Sequence, residues 1–260
     1  MDTYMKTNFK LNYDDSLYIN EQTIYQYANT NEEVLTGPVK GIIVEFPGLG
    51  GGSCLGGIMD MGAYNIYWTE RFGAKGILVA YMFPGPWSWG NKGAVRMADA
   101  VISALIKKYN LPDDIPVAVC GGSMGGLGSL MFSIGTRHNL KGVAAACPCT
   151  DVIKSLDCSP DFPRTYVSAV ASYDKPLDVA LRTISPIHRV NNFPSVPYFI
   201  CSDGDDDLFF EEDCDLFVEK LKAKGHNVEY YQQPGKRHGE FVDEVRERLH
   251  IFLEECILEF

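Results

Sequence analysis

Short apolar runs alternate with longer amphipathic stretches along most of the chain. The runs lie at 41–46, 77–81, 117–120, 143–147, 198–201 and 228–231. Runs of this length between helical stretches are typical of βα units around a mostly parallel sheet. Apolar residues recur at helical spacing in the stretches 94–108, 208–224 and 240–258. The pattern predicts an α/β fold, a mostly parallel twisted sheet flanked by helices.

The N-terminal segment follows a different pattern. Two short alternating stretches, 17–19 and 23–25, flank the turn-forming residues 20–22. This arrangement predicts a hairpin of antiparallel edge strands ahead of the parallel sheet.

One connection is much longer than the others. About 45 residues, from 149 to 194, separate the strands predicted at 143–147 and 198–201, and they include Pro160, Pro163, Pro176 and Pro186 and several aromatic residues. A connection of that length in a compact domain is usually a lid or a small excursion with its own helices. We therefore expect a lid or cap at about 150–194 within a single domain that spans 1–260.

Composition and charge exclude several classes of protein. The chain has 260 residues, 46% of them hydrophobic, and a formal net charge of −11. No run of 18 apolar residues predicts a membrane span, and the longest basic runs are pairs, so we expect neither a membrane nor a nucleic-acid partner. Eight scattered cysteines and the absence of a signal-peptide pattern favour a reducing, cytoplasmic location. The oligomeric state cannot be predicted from these features.

The strongest local motif is Gly-x-Ser-x-Gly around Ser123. It directly follows the strand predicted at 117–120 and opens a helical stretch at 127–134. This strand–turn–helix context is the one that a nucleophile elbow requires, and glycine is needed at both flanks because a side chain there would collide with the crossing backbone. The motif predicts that Ser123 is a catalytic nucleophile.

A serine hydroxyl needs a general base, and in this fold the chain order is serine, acid, histidine. His238 follows the last predicted strand at the sheet edge that also carries Ser123, so we predict that it is the base. The acid should follow the strand 198–201, where four aspartates compete. A Gly-x-x-Asp pattern counted from Gly204 favours Asp207, with Asp206 as the next choice and Asp151 as a distant one.

A developing oxyanion needs two backbone donors. We assign one to Met124, directly after the nucleophile, and the other to Leu49 in the glycine-rich loop 47–52. That loop carries no nucleotide-binding motif, and the cysteine and histidine spacing does not match a zinc site. We therefore expect neither a cofactor nor a metal.

At this point the chain resembles the α/β-hydrolases, and within them the prolyl-oligopeptidase-like and dienelactone-hydrolase-like branch. The resemblance covers about residues 36–257 and rests on the motif 121–126, on 185–187, on 204–207 and on His238. It implies a serine hydrolase with a Ser-His-Asp triad. The chain departs from the family at the oxyanion loop, where Pro47-Gly48 stands in place of the frequent His-Gly. Peptidase relatives also carry a gating propeller domain, for which 260 residues leave no room.

Aromatic residues cluster near the predicted mouth of the site. Trp87 and Trp89 follow the strand 77–81, and Tyr166 lies in the long excursion. They predict an apolar substrate pocket under a lid, although such residues also anchor loops in satellite cores. No lysine or arginine is placed for an anionic group, which favours a small uncharged ester as substrate. A peptidase and a hydrolase-fold protein that binds a small molecule without turnover are the alternatives.

Overall fold

The computed structural model describes residues 15–50 and 66–259. The strands are β1 Ala28–Thr30, β2 Gly41–Phe46, β3 Ile77–Met82, β4 Val117–Gly122, β5 Leu140–Ala146, β6 Tyr198–Asp203 and β7 Val228–Gln233. The helices are α1 Ile66–Ala74, α2 Lys92–Lys108, α3 Met124–Gly135, α4 Phe162–Val170, α5 Leu177–Thr183, α6 Glu211–Ala223 and α7 Asp243–Leu258.

The strands form one seven-stranded sheet in the order β1-β3-β2-β4-β5-β6-β7. All neighbouring strands are parallel except β1, which pairs with β3 in the antiparallel direction. The α/β-hydrolase fold expected from the sequence is therefore confirmed. The parallel strands all end at one edge of the sheet, where loops can bring side chains from distant parts of the chain together.

Each face of the sheet is covered by its own core. Side chains of α2 and α6 pack on one face, together with Leu130 and Phe132 of α3. Phe72 of α1 and the apolar side of α7 pack on the other face. Both faces of the central strands are thus buried, which explains why these strands are continuous apolar runs in the sequence.

The N-terminal hairpin is not formed. Two 3₁₀ turns, Asp15–Leu17 and Ile24–Gln26, occupy the segment that predicted it. The side chain of Asn20 accepts hydrogen bonds from the backbone N–H groups of Gln22 and Thr23 and fixes a turn where a two-strand ladder was expected. The antiparallel edge strand follows a few residues later, as β1.

The excursion between β5 and β6 contains α4, α5 and short 3₁₀ turns. It packs as a third apolar cluster against the side chains of Trp89, Met124, Leu127 and Met131. Within the described part of the chain, no helix is both long enough and apolar enough to cross a membrane.

Candidate active site

Ser123 occupies the sharp turn between β4 and α3. Its backbone dihedrals are φ 59° and ψ −127°, a conformation that costs a non-glycine residue energy. Its N–H donates to the carbonyl oxygen of Ala146 at 2.9 Å. The turn is therefore held from the neighbouring strand β5, and the hydroxyl stands at the carboxyl edge of the sheet.

The two flanking glycines make this turn sterically feasible. A Cβ atom at Gly125 would lie 2.1 Å from the carbonyl oxygen of Phe46, and one at Gly121 would lie 2.5 Å from the backbone of Gly125. Both distances are far below a van der Waals contact, so no side chain fits at either position. This is the steric reason inferred from the Gly-x-Ser-x-Gly motif.

His238 connects the serine to a carboxylate. Its Nε2 lies 2.8 Å from Oγ of Ser123, and its Nδ1 lies 2.7 Å from Oδ2 of Asp206. The histidine side chain is 18% exposed and that of Asp206 is fully buried. A neutral imidazole can donate from Nδ1 to the carboxylate and accept the serine proton at Nε2, which is the arrangement that activates a serine hydroxyl.

The acid beside His238 is Asp206, and the prediction of Asp207 is corrected. Oδ1 of Asp206 accepts the N–H groups of Leu208 and Phe209 at 2.8 and 3.0 Å, which leaves Oδ2 for the histidine. Asp207 is exposed. Counting from Gly204 missed the acid by one residue, because the turn that follows β6 buries the side chain of Asp206 and turns the next one to solvent.

A second buried carboxylate supports the histidine loop. Asp203, at the end of β6, accepts the N–H of Gly239 at 2.8 Å and the side-chain amide of Gln233 at 2.7 Å. Burial raises its pKa, and the nearby charge of Asp206 acts in the same direction. In the sequence, Asp203 is one of the four aspartates that compete for the role of the acid. Its position as the last residue of the strand was the available signal.

The described loop after β2 lies against the nucleophile. A Cβ atom at Gly48 would come within 4.0 Å of Cβ of Ser123. Leu49 follows at the surface, and Gly50 donates a backbone hydrogen bond to Pro86 at 2.9 Å. The oxyanion roles assigned to Leu49 and Met124 stay predictions, and residues 51 and 52 of the loop lie outside the described part of the chain.

The three aromatic residues assigned to the substrate pocket lie elsewhere. Trp89 and Tyr166 are fully buried in the third apolar cluster with ring centroids 4.3 Å apart, and Trp89 donates from Nε1 to Thr165 at 3.0 Å. Trp87 is at the surface beneath the guanidinium of Arg164. Trp89 and Tyr166 therefore anchor the excursion to the body of the domain, the satellite-core alternative.

The cavity beside Ser123 opens on the other side of the sheet. Its volume is about 720 Å³. Of the residues described, its lining includes none from α4 or α5, so the expected pocket under a lid is corrected to a pocket under α7. Among the described residues, its polar lining includes Glu45, Tyr81, Ser123 and Arg246, and its apolar lining includes Phe46, Ala144, Ala146, Phe241 and Leu249.

One group of side chains near the site has the donor types of a metal site. Cys147, Asp203 and His238 bring one potential ligand atom each to within 4.8 Å of one another. However, both nitrogens of His238 and both oxygens of Asp203 already take part in hydrogen bonds within the site. Burial also raises the pKa of the Cys147 thiol well above its ordinary value, which disfavours the thiolate that a metal needs.

The fold and the linked serine, histidine and aspartate define an α/β-hydrolase of the serine type. A sequence profile of the prolyl oligopeptidase family matches residues 87–257, so the chain belongs to that family. A comparison with curated protein sequences found no match.

Solved structures share the fold at low sequence identity. A puromycin hydrolase superposes with a TM-score of 0.67 at 22% identity, covering 86% of this chain and 35% of that one. The acylaminoacyl peptidase of Pyrococcus horikoshii gives 0.65 at 18%, covering 84% and 37%. Esterase B of Lactobacillus rhamnosis gives 0.63 at 13%, covering 86% and 78%. The chain thus spans about a third of the length of the puromycin hydrolase and of the acylaminoacyl peptidase.

Proposed function

We propose that this protein hydrolyses small carboxylic esters through an acyl-enzyme on Ser123. The observation that carries the proposal is the position of His238, 2.8 Å from the serine oxygen and 2.7 Å from the carboxylate of Asp206. Such a chain of hydrogen bonds makes a serine nucleophilic near neutral pH.

In the proposed reaction, Oγ of Ser123 attacks the ester carbonyl while Nε2 of His238 takes the hydroxyl proton. The imidazolium that forms is stabilised by the side chain of Asp206, which also orients the ring through Nδ1. The backbone N–H groups of Met124 and Leu49 stabilise the oxyanion. His238 then gives its proton to the leaving alcohol, and a water molecule activated in the same way releases the acid.

Labelling by a fluorophosphonate tests the nucleophile. We expect one equivalent of probe on the native protein and none on Ser123→Ala, since the probe forms its bond with the activated serine oxygen. Ser129→Ala is the matched control, because that buried hydroxyl on α3 only donates to the Gly125 carbonyl. Labelling that survives Ser123→Ala would overturn the assignment.

The second candidate is a peptidase that acts on short peptides or acylated amino acids. The match to the prolyl oligopeptidase family and the structural similarity to an acylaminoacyl peptidase favour it. The same triad serves both reactions, and they differ in the leaving group. Rates on matched 4-nitrophenyl esters and 4-nitroanilides of one acyl group separate them. The ester proposal expects turnover of the ester and at most a trace of anilide cleavage, whereas comparable kcat/KM values would support the peptidase.

A further inference from the structure

Glu45 is a carboxylic acid in the middle of the sheet. It lies on the central strand β2, in register with Tyr81 of β3 and with Cys120 of β4. All three residues line the cavity that contains Ser123, and Glu45 is partly buried. The other residues of β2 are glycine or apolar. A carboxyl group at such a position costs stability unless it is well paired, which makes it a candidate for a functional group.

Among the described residues, the pairing of this carboxyl group is weak. In the described part of the chain its hydrogen bond comes from the Cys120 thiol, which donates to Oε2 at 3.5 Å. A thiol is a weak donor, and a carboxylate can accept about four hydrogen bonds. Burial accordingly raises the pKa of Glu45 well above its ordinary value. Burial alone therefore favours the neutral acid, and a cation that enters the cavity would favour the carboxylate and bind to it.

One cation, Arg246, is among the described lining residues, and it interacts with residues other than Glu45. Arg246 of α7 is exposed, pairs with Asp243 at 3.2 Å and lies over the ring of Phe241. Two more carboxyl groups lie beside the cavity. Asp206 contacts His238, and Asp203 accepts a hydrogen bond from Gly239 in the same loop. Carboxyl groups therefore outnumber the one arginine in and beside the described lining, and an ionised Glu45 would favour a cationic ligand over an anionic one.

The strand register sets the distance between Glu45 and the nucleophile. Glu45 is level with Cys120, three residues before Ser123, which corresponds to about 10 Å along the strand at roughly 3.3 Å per residue. An α-amino group lies too close to the scissile carbonyl to span that separation. A chain of several methylene groups reaches it, past the apolar side chains of Ala144 and Ala146.

We propose that the cavity takes an acyl chain that ends in a protonated amine, and that Glu45 binds this amine. The acyl part is the one that enters the cavity, because it stays bonded to Ser123 in the acyl-enzyme. This inference rests on the proposed function and deepens it. It replaces the expectation of an uncharged substrate, which considered only lysine and arginine and did not consider Glu45.

A matched pair of substrates tests the inference. The 4-nitrophenyl esters of 6-aminohexanoic and heptanoic acid have acyl chains of equal length and differ in the terminal ammonium or methyl group. The measured quantity is the ratio of their kcat/KM values. We expect the ratio to favour the amino ester in the native protein and to fall roughly 10- to 100-fold in Glu45→Gln, the range that one hydrogen bond to a charged group supplies.

Controls keep the two proposals separate. Glu219→Gln removes an exposed carboxylate on α6, outside the cavity lining, and should leave the ratio unchanged. Turnover of neither ester by the native protein would contradict the proposed esterase function. Turnover of both esters with the same ratio in native protein and Glu45→Gln would overturn the role of Glu45 and leave the esterase proposal standing.

A measurement on the native protein covers the case in which Glu45→Gln does not fold. Pentylammonium and pentan-1-ol are similar in size, and each can be tested as an inhibitor of heptanoate ester hydrolysis. We expect competitive inhibition by pentylammonium at a concentration at least about tenfold lower than by pentan-1-ol. Equal inhibition by the two compounds would overturn the proposal.

Discussion

Oδ2 of Asp206 lies 2.7 Å from Nδ1 of His238, whereas Asp207, the next residue, faces solvent. The two neighbouring aspartates therefore provide a matched pair of variants. Asp206→Asn keeps the size of the side chain but permits the wrong imidazole tautomer, so we expect kcat to fall roughly 10³- to 10⁴-fold. Asp207→Asn should change kcat by less than about twofold. Steady-state ester hydrolysis measures both, and a large loss in Asp207→Asn alone would contradict the assignment.

Asp203 is predicted to act through the histidine loop. Both of its oxygens accept hydrogen bonds, from Gly239 and from Gln233. An asparagine offers one oxygen and one NH₂ group. In Asp203→Asn this NH₂ group would therefore face one of the two N–H donors, that of Gly239 or that of Gln233. We expect a loss of about 1–3 kcal/mol in the free energy of unfolding together with a lower kcat.

Exposed Asp205 on the same loop provides the control for this substitution. Asp205→Asn should leave both the free energy of unfolding and kcat close to native values, because its side chain faces solvent. Urea unfolding and ester hydrolysis are the two measurements. A native free energy of unfolding in Asp203→Asn would show that these hydrogen bonds do not hold the loop.

The elbow glycines predict that alanine substitutions at positions 122 and 125 differ sharply in their effect on the free energy of unfolding. A Cβ atom at Gly125 would lie 2.1 Å from a backbone oxygen, but one at Gly122 meets nothing closer than 3.8 Å. Gly125→Ala should therefore lower the free energy of unfolding by more than about 2 kcal/mol, while Gly122→Ala should cost less than about 1 kcal/mol. Urea unfolding monitored by circular dichroism measures both. Equal stability of the two variants would contradict the packing of the elbow against β2.

The strained backbone of Ser123 predicts that the nucleophile lowers stability. With φ at 59°, glycine adopts this conformation more easily than serine or alanine. Ser123→Gly should be more stable than Ser123→Ala by about 1 kcal/mol, after its larger unfolded-state entropy is taken into account. Both variants lack the hydroxyl and should be inactive. A less stable glycine variant would show that the turn is not strained.

His250 predicts a dependence of stability on pH. Burial in α7 and the charge of Arg71 lower its pKa to about 4, from an ordinary value of 6.5. Between these two pKa values, the histidine binds a proton in the unfolded chain but not in the native state. The free energy of unfolding therefore falls as the pH drops from 6.5 towards 4. Between pH 7 and pH 5 we expect a loss of roughly 1–2 kcal/mol from this residue. Urea unfolding of native protein and His250→Gln at both pH values isolates it, because the variant should lose less by that amount.

The core of the fold was predictable from sequence because it depends on local patterns. Strand β2 begins and ends where its apolar run does, since a central parallel strand is buried on both faces. Ser123 and His238 follow from the elbow motif and from the rule that parallel strands end at one edge. Cys120, Cys147, Cys201 and Cys256 follow the same rule, because each lies in an apolar run or on an apolar helix face and each is buried.

Other features depend on packing between distant segments. Which aspartate meets His238 is decided by a turn in which Asp206 accepts N–H groups two and three residues ahead. The position of the cavity depends on which face of the sheet carries alanines and on how α7 lies across it. The sequence did contain one signal, because Glu45 interrupts an otherwise apolar run, and a charge in a buried strand calls for an explanation.

The ring of Phe209 touches His238 edge-on at 5.2 Å and stacks on Phe162 of α4 at 5.6 Å. Phe209 thus packs against one side of the His238 ring, and the excursion between β5 and β6 in turn packs against Phe209. Unfolding of that excursion alone would remove this wall and leave the imidazole held by Ser123 and Asp206. We therefore expect activity to be lost on heating at a lower temperature than that at which the sheet melts, which parallel measurements of ester hydrolysis and circular dichroism check.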